Sequence, residues 1–440
     1  MAIFHDVQIN GEGYKVLVET VHPTREHGEI RACTAVHEQR FARRIGGVRF
    51  VPGAPPEDRT ELGELAEAMT WKSALAGIPA DGEKSVVYCP DGLPQSAEMA
   101  QIMAAHLAEL KVADPGVIFG PDINCGEAVM DLLAHEHGEG DHVSGLIKGK
   151  GGLSIDGYGY TARGLEAALL AAADRLSWDL TKMRATIQGL GAVGAHVARN
   201  LRQHGVAIQA VNSYHGALIA TTPAGLDIDL LFKNWQEHED AYFPHYKDAT
   251  PAGMRWAERD SIFEEPAEIF IPAARTDVLA MPGEPQALNG AKDITRFVEA
   301  TGVKVILEGA NHPLTAEAEK YMEDRGVFIL PDYLVNCGGL IGCWADWVYR
   351  HELEGKGEGE WYARLNDGAR SYTAKVVERN VPRVLDATGN QPRGIRQAAH
   401  KLAKELRDEF GAEFEAYLAG KPTDPDGRAF GRLCMDKLLQ

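Results

Sequence analysis

The sequence predicts an α/β protein with a parallel sheet in its second part. Three observations carry this. Apolar runs of strand length alternate with segments of helical spacing, and a glycine turn of the form G-x-G-x-x-G joins one such strand to one such helix. The third is composition: 45% of the 440 residues are hydrophobic and 25% are charged, an ordinary balance for a chain with a large core. At about 150 residues per domain, that length suggests two or three domains.

The elements follow in order. Residues 16–20 and 30–36 read as strands, and residues 61–75 as a helix, from the spacing of Leu62, Leu65, Ala66 and Met69. Residues 85–88 form another strand and 97–110 another helix. A loop with Gly145, Gly149, Gly151, Gly152, Gly157 and Gly159 marks the passage into a second domain. Helix 162–175, strand 184–188, the glycine turn, helix 195–204 and strand 207–211 then make a βαβ unit, which implies parallel pairing. Further strands are expected at 268–271, 304–307 and 327–330. The chain from about Leu340 onward reads as helical, most clearly over 397–417. The expected domains are 1–155, 156–345 and 346–440.

The formal net charge of −19 disfavours nucleic acid and anionic membrane as partners, because both repel it. The six cysteines form no C-x-x-C pair and are too sparse for a disulfide framework, so neither a zinc ribbon nor a redox motif is expected, and no metal. Residues 1–6 carry no basic stretch leading into an apolar run, and no apolar run reaches membrane length. A cytoplasmic protein is the expectation.

Gly189, Gly191 and Gly194 form the glycine turn, directly after an apolar strand. The first permits a tight turn and the second lets backbone approach a pyrophosphate. The third allows close helix–strand packing, while Ala192 and Val193 open a helix whose N–H groups face the anion. This predicts NAD or NADP. An acidic residue about 20 positions on often binds the NAD ribose. Here the strand runs into Asn212, Ser213, Tyr214 and His215 with no carboxylate, which leans toward NADP, with Ser213 and His215 either facing a 2′-phosphate or capping the strand.

Three segments of the first domain stand out: Met69-Thr70-Trp71-Lys72, Pro79-Ala80-Asp81-Gly82-Glu83-Lys84 and Pro121-Asp122. Singly each is bland: lysines are usually solvated, and Asp122 can cap a following helix. Together, and preceded by Ile45-Gly46-Gly47, they resemble the ordered motifs of the glutamate/leucine/phenylalanine/valine dehydrogenase family. Tyr160-Thr161-Ala162-Arg163-Gly164, Glu308-Gly309-Ala310-Asn311 and Pro331 to Gly339 continue the resemblance, which spans roughly residues 15–345. It implies a mixed sheet in the first domain, a Rossmann-type second domain, and C-terminal helices packing back on the first. It also implies a homo-oligomer and an active site in the cleft between domains.

By the same resemblance Lys72 holds the substrate α-carboxylate, Lys84 activates water against the imino carbon as a neutral amine, and Asp122 shuttles a proton. Gly46 and Gly47 border the substrate, and Thr161, Ala273, Asn311 and Asn336 fix the cofactor. The family's glutamate enzymes place a lysine before the paired glycines to bind the distal carboxylate. That position is Ile45 here, and the companion pocket positions are Leu340 and Cys343. None of these can pair a buried carboxylate, so an apolar or bulky L-amino acid and its 2-oxo acid are expected as substrates. Asp81 and Glu83 depart from the family pattern. Both add negative charge beside Lys84, which would favour its ammonium form or recruit a cationic or hydroxylated substrate. This leaves two alternatives: a related imine-forming or condensing enzyme, and a catalytically silent dinucleotide-binding paralogue.

Overall fold

Two sheets organise the chain, each in its own unit. The computed structural model describes residues 3–5, 8–9, 12–13, 16–24, 26–56, 60–288, 290–356, 359–420 and 428–439. One unit comprises Met1–Ile155, Leu340–Tyr372 and Ala403–Gln440; the other comprises Asp156–Gly339 and Thr373–Leu402.

The first unit contains β1 (Ile3–His5), a short hairpin of β2 (Gln8–Ile9) and β3 (Glu12–Gly13), β4 (Val16–Pro23), β5 (Glu29–Val36), β6 (Arg44–Pro52), α1 (Thr60–Leu75), β7 (Asp81–Cys89), α2 (Ser96–Ala113), β8 (Val117–Pro121) and α3 (Glu127–His135). Its six-stranded sheet runs β1-β4-β5-β7-β6-β8. β5 pairs antiparallel with β7, whereas β6 pairs parallel with both β7 and β8, so the sheet is mixed. β6 is hidden in the sequence, and β7, expected over residues 85–88, begins four residues earlier. β6 is interrupted by Gly46-Gly47 and Arg49, and β7 opens on four residues, Asp81 to Lys84, that are polar or small and yet buried. Central position in the sheet overrides the local pattern.

The second unit contains α4 (Ile155–Tyr158, whose first residue closes the first unit), α5 (Tyr160–Leu176), β9 (Arg184–Gln188), α6 (Ala192–Gln203), β10 (Ala207–Ser213), β11 (Gly216–Ala220), α7 (Ile228–His238), α8 (His245–Asp248), β12 (Met254–Ala257), β13 (Ile269–Pro272), β14 (Leu279–Ala280), α9 (Pro285–Leu288), β15 (Lys292–Asp293), α10 (Ile294–Thr301), β16 (Val305–Leu307), α11 (Ala316–Glu323), β17 (Phe328–Leu330) and α12 (Asp332–Val335). Its seven-stranded sheet runs β12-β11-β10-β9-β13-β16-β17, parallel from β10 to β17. The crossover helices and the strand order match a doubly wound dinucleotide fold.

The remaining helices are α13 (Gly338–Val348), α14 (Arg350–Lys356), α15 (Glu360–Ala387), α16 (Ile395–Gly420) and α17 (Arg428–Leu439). They correct the expected boundaries twice. Residues 340–345 belong to the first unit, where Trp344 and Trp347 are fully buried and Asp346 accepts the Leu146 N–H at 3.0 Å. Residues 373–402 belong to the second unit, held there by Arg396, which binds Glu308, Glu319 and Asp332. Only part of the C-terminal region therefore returns to the first. Among the described residues no helix is long and apolar enough to cross a membrane.

Candidate functional site

In the first unit, three strand ends gather the predicted residues. Lys84, buried on β7, donates from Nζ to Oδ2 of Asp122, just beyond β8. Gly47 on β6 lies against both. A Cβ there would come to 3.1 Å of Lys84 Nζ and 2.9 Å of Asp122 Cβ, so this position has room only for hydrogen. The turn bearing Asp122 is pinned to β6: Phe50 N–H donates to Ile123 O at 3.1 Å and Asn124 Nδ2 to Phe50 O at 2.9 Å. Burial opposes ionisation of Asp122, but Lys84, Arg49 and the Ile123 N–H together bring its carboxyl down to about 2.

Arg49 is a residue the sequence reading did not single out. Its Nε lies 3.4 Å from Asp122 Oδ2. The signal was present, since strand alternation places Arg49 on the same face as Gly47. Lys72 is buried in the last turn of α1, the helix that packs on β7. Gly82 allows that packing: its N–H donates to Thr70 Oγ1 at 2.8 Å, and a Cβ would strike the Ala66 carbonyl. Ile45 and Leu340 are buried. A Cβ at Gly120 would lie 3.6 Å from Cys343 Sγ and 3.5 Å from Gly46 O and Ser144 Oγ, so Cys343 shares a neighbourhood with the Gly46 backbone.

The two departures from the family pattern do not face Lys84. Alternation along β7 sends Asp81 and Glu83 to the other side. Asp81 accepts from Arg407 Nε and Nη2 at 3.2 and 2.7 Å and from the Phe41 N–H at 2.8 Å, fully buried. It is spent on the framework and is not available to a cationic substrate. Glu83 is also fully buried, packed against Gly46, and burial pushes its carboxyl up to about 8. At neutral pH it is therefore mostly uncharged and does not add the negative charge beside Lys84 that the sequence alone implied.

In the second unit the glycine turn has the predicted division of labour. Gly189 has φ +96°. At Gly194 a Cβ would fall 1.8 Å from Gly189 O, so helix and turn touch through hydrogen alone. At Gly191 a Cβ would meet nothing within 4 Å, leaving backbone open to a ligand. Ala192 and Val193 begin α6, where N–H groups lack intrahelical partners. These features fit a dinucleotide pyrophosphate. Asn212, at the end of β10, braces the turn by accepting the Gly189 N–H at 2.8 Å and donating to Arg259 O at 2.9 Å.

The other cofactor candidates lie in the same unit. Ala273 N–H donates to Gln188 O at 2.8 Å, and Asn336 Nδ2 donates to Asn311 Oδ1 at 3.0 Å and Gly309 O at 3.2 Å. Thr161 Oγ1 lies 3.1 Å from where a Cβ of Gly339 would be. Ser213 Oγ accepts the His215 N–H at 3.1 Å, so it caps the strand end. The lean toward NADP rested on the lack of a carboxylate here. Asp240, in the turn Glu239–Tyr242, supplies one at 3.4 Å from His215 Nε2; it was invisible because it arrives from beyond α7.

The chain matches the family model described as Glutamate/Leucine/Phenylalanine/Valine dehydrogenase over residues 151–405, and the model of that family's dimerisation domain over residues 14–139. It is 27% identical to the NADP-specific glutamate dehydrogenase A1 of Halobacterium salinarum, over 77% of this chain and 78% of that protein. It is also 27% identical to a glutamate dehydrogenase of Thermotoga maritima, over 76% of this chain and 77% of that one. Among solved structures, the hetero-hexameric glutamate dehydrogenase of Thermus thermophilus in a leucine-bound form is 26% identical. It covers 90% of this chain and 89% of its own, with a TM-score of 0.68.

Proposed function

Because the chain belongs to the glutamate/leucine/phenylalanine/valine dehydrogenase family and so is an NAD(P)-dependent amino acid dehydrogenase, we propose that it acts on an apolar or bulky L-amino acid and its 2-oxo acid. The observation that carries this reading is Ile45. It is 1% exposed at the position where the family's glutamate enzymes place the lysine for the distal carboxylate. Leu340, buried, and Cys343 add no cation. A second carboxylate in that surrounding would be left unpaired, which costs several kcal/mol.

The reaction converts amino acid, water and oxidised dinucleotide to 2-oxo acid, ammonium, reduced dinucleotide and a proton. The bound nicotinamide supplies the hydride acceptor. Lys72 holds the α-carboxylate. Lys84 takes a proton from the water that attacks the imino carbon, and Asp122 moves a proton at the amine nitrogen. The pairing of Lys84 with Asp122, with Arg49 behind, supports this division, because the carboxylate stays ionised and ready to accept. The relatives named above are glutamate dehydrogenases, so the decisive comparison is direct. Purified protein is offered 2-oxoglutarate, or branched and aromatic 2-oxo acids, with ammonium and either NADH or NADPH. Turnover with the apolar acids and little with 2-oxoglutarate is expected. Preference for 2-oxoglutarate would overturn the pocket assignment. Sedimentation or mass photometry should show an oligomer, as in the hexameric relative.

A further inference from the structure

Glu83 ends a continuous line of hydrogen bonds through the first unit. Ser85 Oγ donates to Glu83 Oε2 at 3.1 Å, and Thr34 Oγ1 lies 2.6 Å from Ser85 Oγ. His106 Nε2, reaching in from α2, is 2.8 Å from Thr34 Oγ1, and its Nδ1 is 2.6 Å from Thr20 Oγ1. Thr20 Oγ1 is 2.7 Å from Nε2 of His22 on β4. Every member is buried except His22, which is half-buried. A chain of five links with two imidazoles, unbranched among the described residues, is more than satisfaction of stray polar groups requires.

Proton counting gives the chain two states. Each hydroxyl and each neutral imidazole has one proton to donate. With Glu83 ionised, Ser85 must donate to it. Thr34 then donates to Ser85, His106 Nε2–H to Thr34, Thr20 to His106 Nδ1, and His22 Nε2–H to Thr20. With a proton on Glu83 every link reverses, and His106 carries its proton on Nδ1. The passage between states balances: one proton enters at His22 Nδ1, each link hands on one proton, and one arrives on Glu83 Oε2. Glu83 Oε1 has no hydrogen-bond partner among the described residues, which makes the anion costly and the acid tolerable.

We propose that Glu83 is a proton-storing positioning residue, loaded and unloaded through Ser85, Thr34, His106, Thr20 and His22, whose charge sets the field on the Lys84–Asp122 pair. The effect on catalysis rests on the reading of Lys84 as the reacting amine; the storage itself does not. The charged groups whose field reaches Glu83 through the sheet are Lys84 on β7 and Asp122 beyond β8, with Arg49 of β6 against Asp122; along the hydrogen-bonded line come His106 from α2 and His22 from β4. Glu19 and Arg31 on β4 and β5 pair with each other at 3.0 Å. Burial outweighs the pull of Lys84 and the Ser85 bond, and Asp122 adds to it, so Glu83 gives up its proton near pH 8. Burial holds His106 down to about 3, which keeps it neutral and able to relay by exchanging tautomers. Below pH 8, Asp122 is the one anion acting on Lys84 and Arg49 at this pair; above it Glu83 adds a second.

The test uses the full-length enzyme, Glu83→Gln and Thr34→Val, with thermal unfolding to confirm that all three fold. Infrared spectroscopy across the pH range, read as the wild type minus Glu83→Gln difference because Glu308 is also pushed up to about 8, should show a buried carboxylic-acid carbonyl band that vanishes near pH 8. After a pH jump the band should return in a fast phase that Thr34→Val loses. The kcat profile for deamination should carry an inflection at the same pH, lost in Glu83→Gln with the substrate KM little changed. A difference spectrum without that band, or an unchanged fast phase in Thr34→Val, would overturn the storage chain. An unchanged kcat profile in Glu83→Gln would overturn the positioning role. Retained turnover in Lys84→Ala would instead sink the lysine assignment and leave the infrared result standing.

Discussion

At the scale of single residues, the proposed chemistry depends on a lysine and an aspartate packed against a glycine. Lys84→Ala should lower kcat by roughly 10²–10⁴ while circular dichroism stays native, because a positioned acid–base group is worth about that much. Asp122→Asn keeps the shape but removes the charge that Lys84 and Arg49 hold in place, and should lower kcat similarly. Gly47→Ala is the sharper probe. Its methyl would meet Lys84 Nζ and Asp122 Cβ, so activity should fall in proportion to how far the pair is pushed apart, read from steady-state kinetics. The glycines were legible in the sequence through their spacing, and Lys72, Lys84 and Asp122 through the ordered motifs of the family that they resemble. Arg49 and the true direction of Asp81 and Glu83 were not, because which side of a strand a residue faces depends on a register that no single strand reveals.

At the scale of elements, the glycine turn separates two jobs that look alike on paper. Gly191→Ala adds a methyl to open space and should leave the melting temperature unchanged while weakening dinucleotide binding, measured by quenching of intrinsic fluorescence. Gly194→Ala drives a methyl into Gly189 O and should cost about 1–3 kcal/mol of stability as well as binding. Long elements with a clear period, such as α1, α5 and α16, were readable in advance. β6 and β8 were not, since the glycines and charges that serve the site break the apolar alternation expected of a strand. The C-terminal helices show the same limit at larger range. Arg396 lies far along the chain from the carboxylates it gathers, Glu308, Glu319 and Asp332, and nothing in its local pattern announces them.

At the scale of the whole molecule, stability and pH are tied through buried groups. His106 is held down to about 3, so its contribution is present above its ordinary 6.5 and is lost as pH falls toward 3. Glu83 is pushed up to about 8, so its contribution is full below its ordinary 4.5 and is lost as pH rises through 8. Chemical denaturation at several pH values should therefore show a loss of stability between about pH 4.5 and 8, and Glu83→Gln should flatten that limb. Arg407→Met leaves Asp81 buried without its cation and should cost about 3–5 kcal/mol by the same measurement. The sequence by itself determined the α/β class, the dinucleotide turn, the family and the lysine–aspartate pair, because each is written in local spacing or in ordered motifs. Tertiary structure alone decided where the C-terminal segments pack, that Asp81 belongs to Arg407, and that Glu83 belongs to a buried line ending at His22. The physical reason is that burial and partnership are set by residues distant in the chain, and only burial tells whether a carboxylate is a charge or a stored proton.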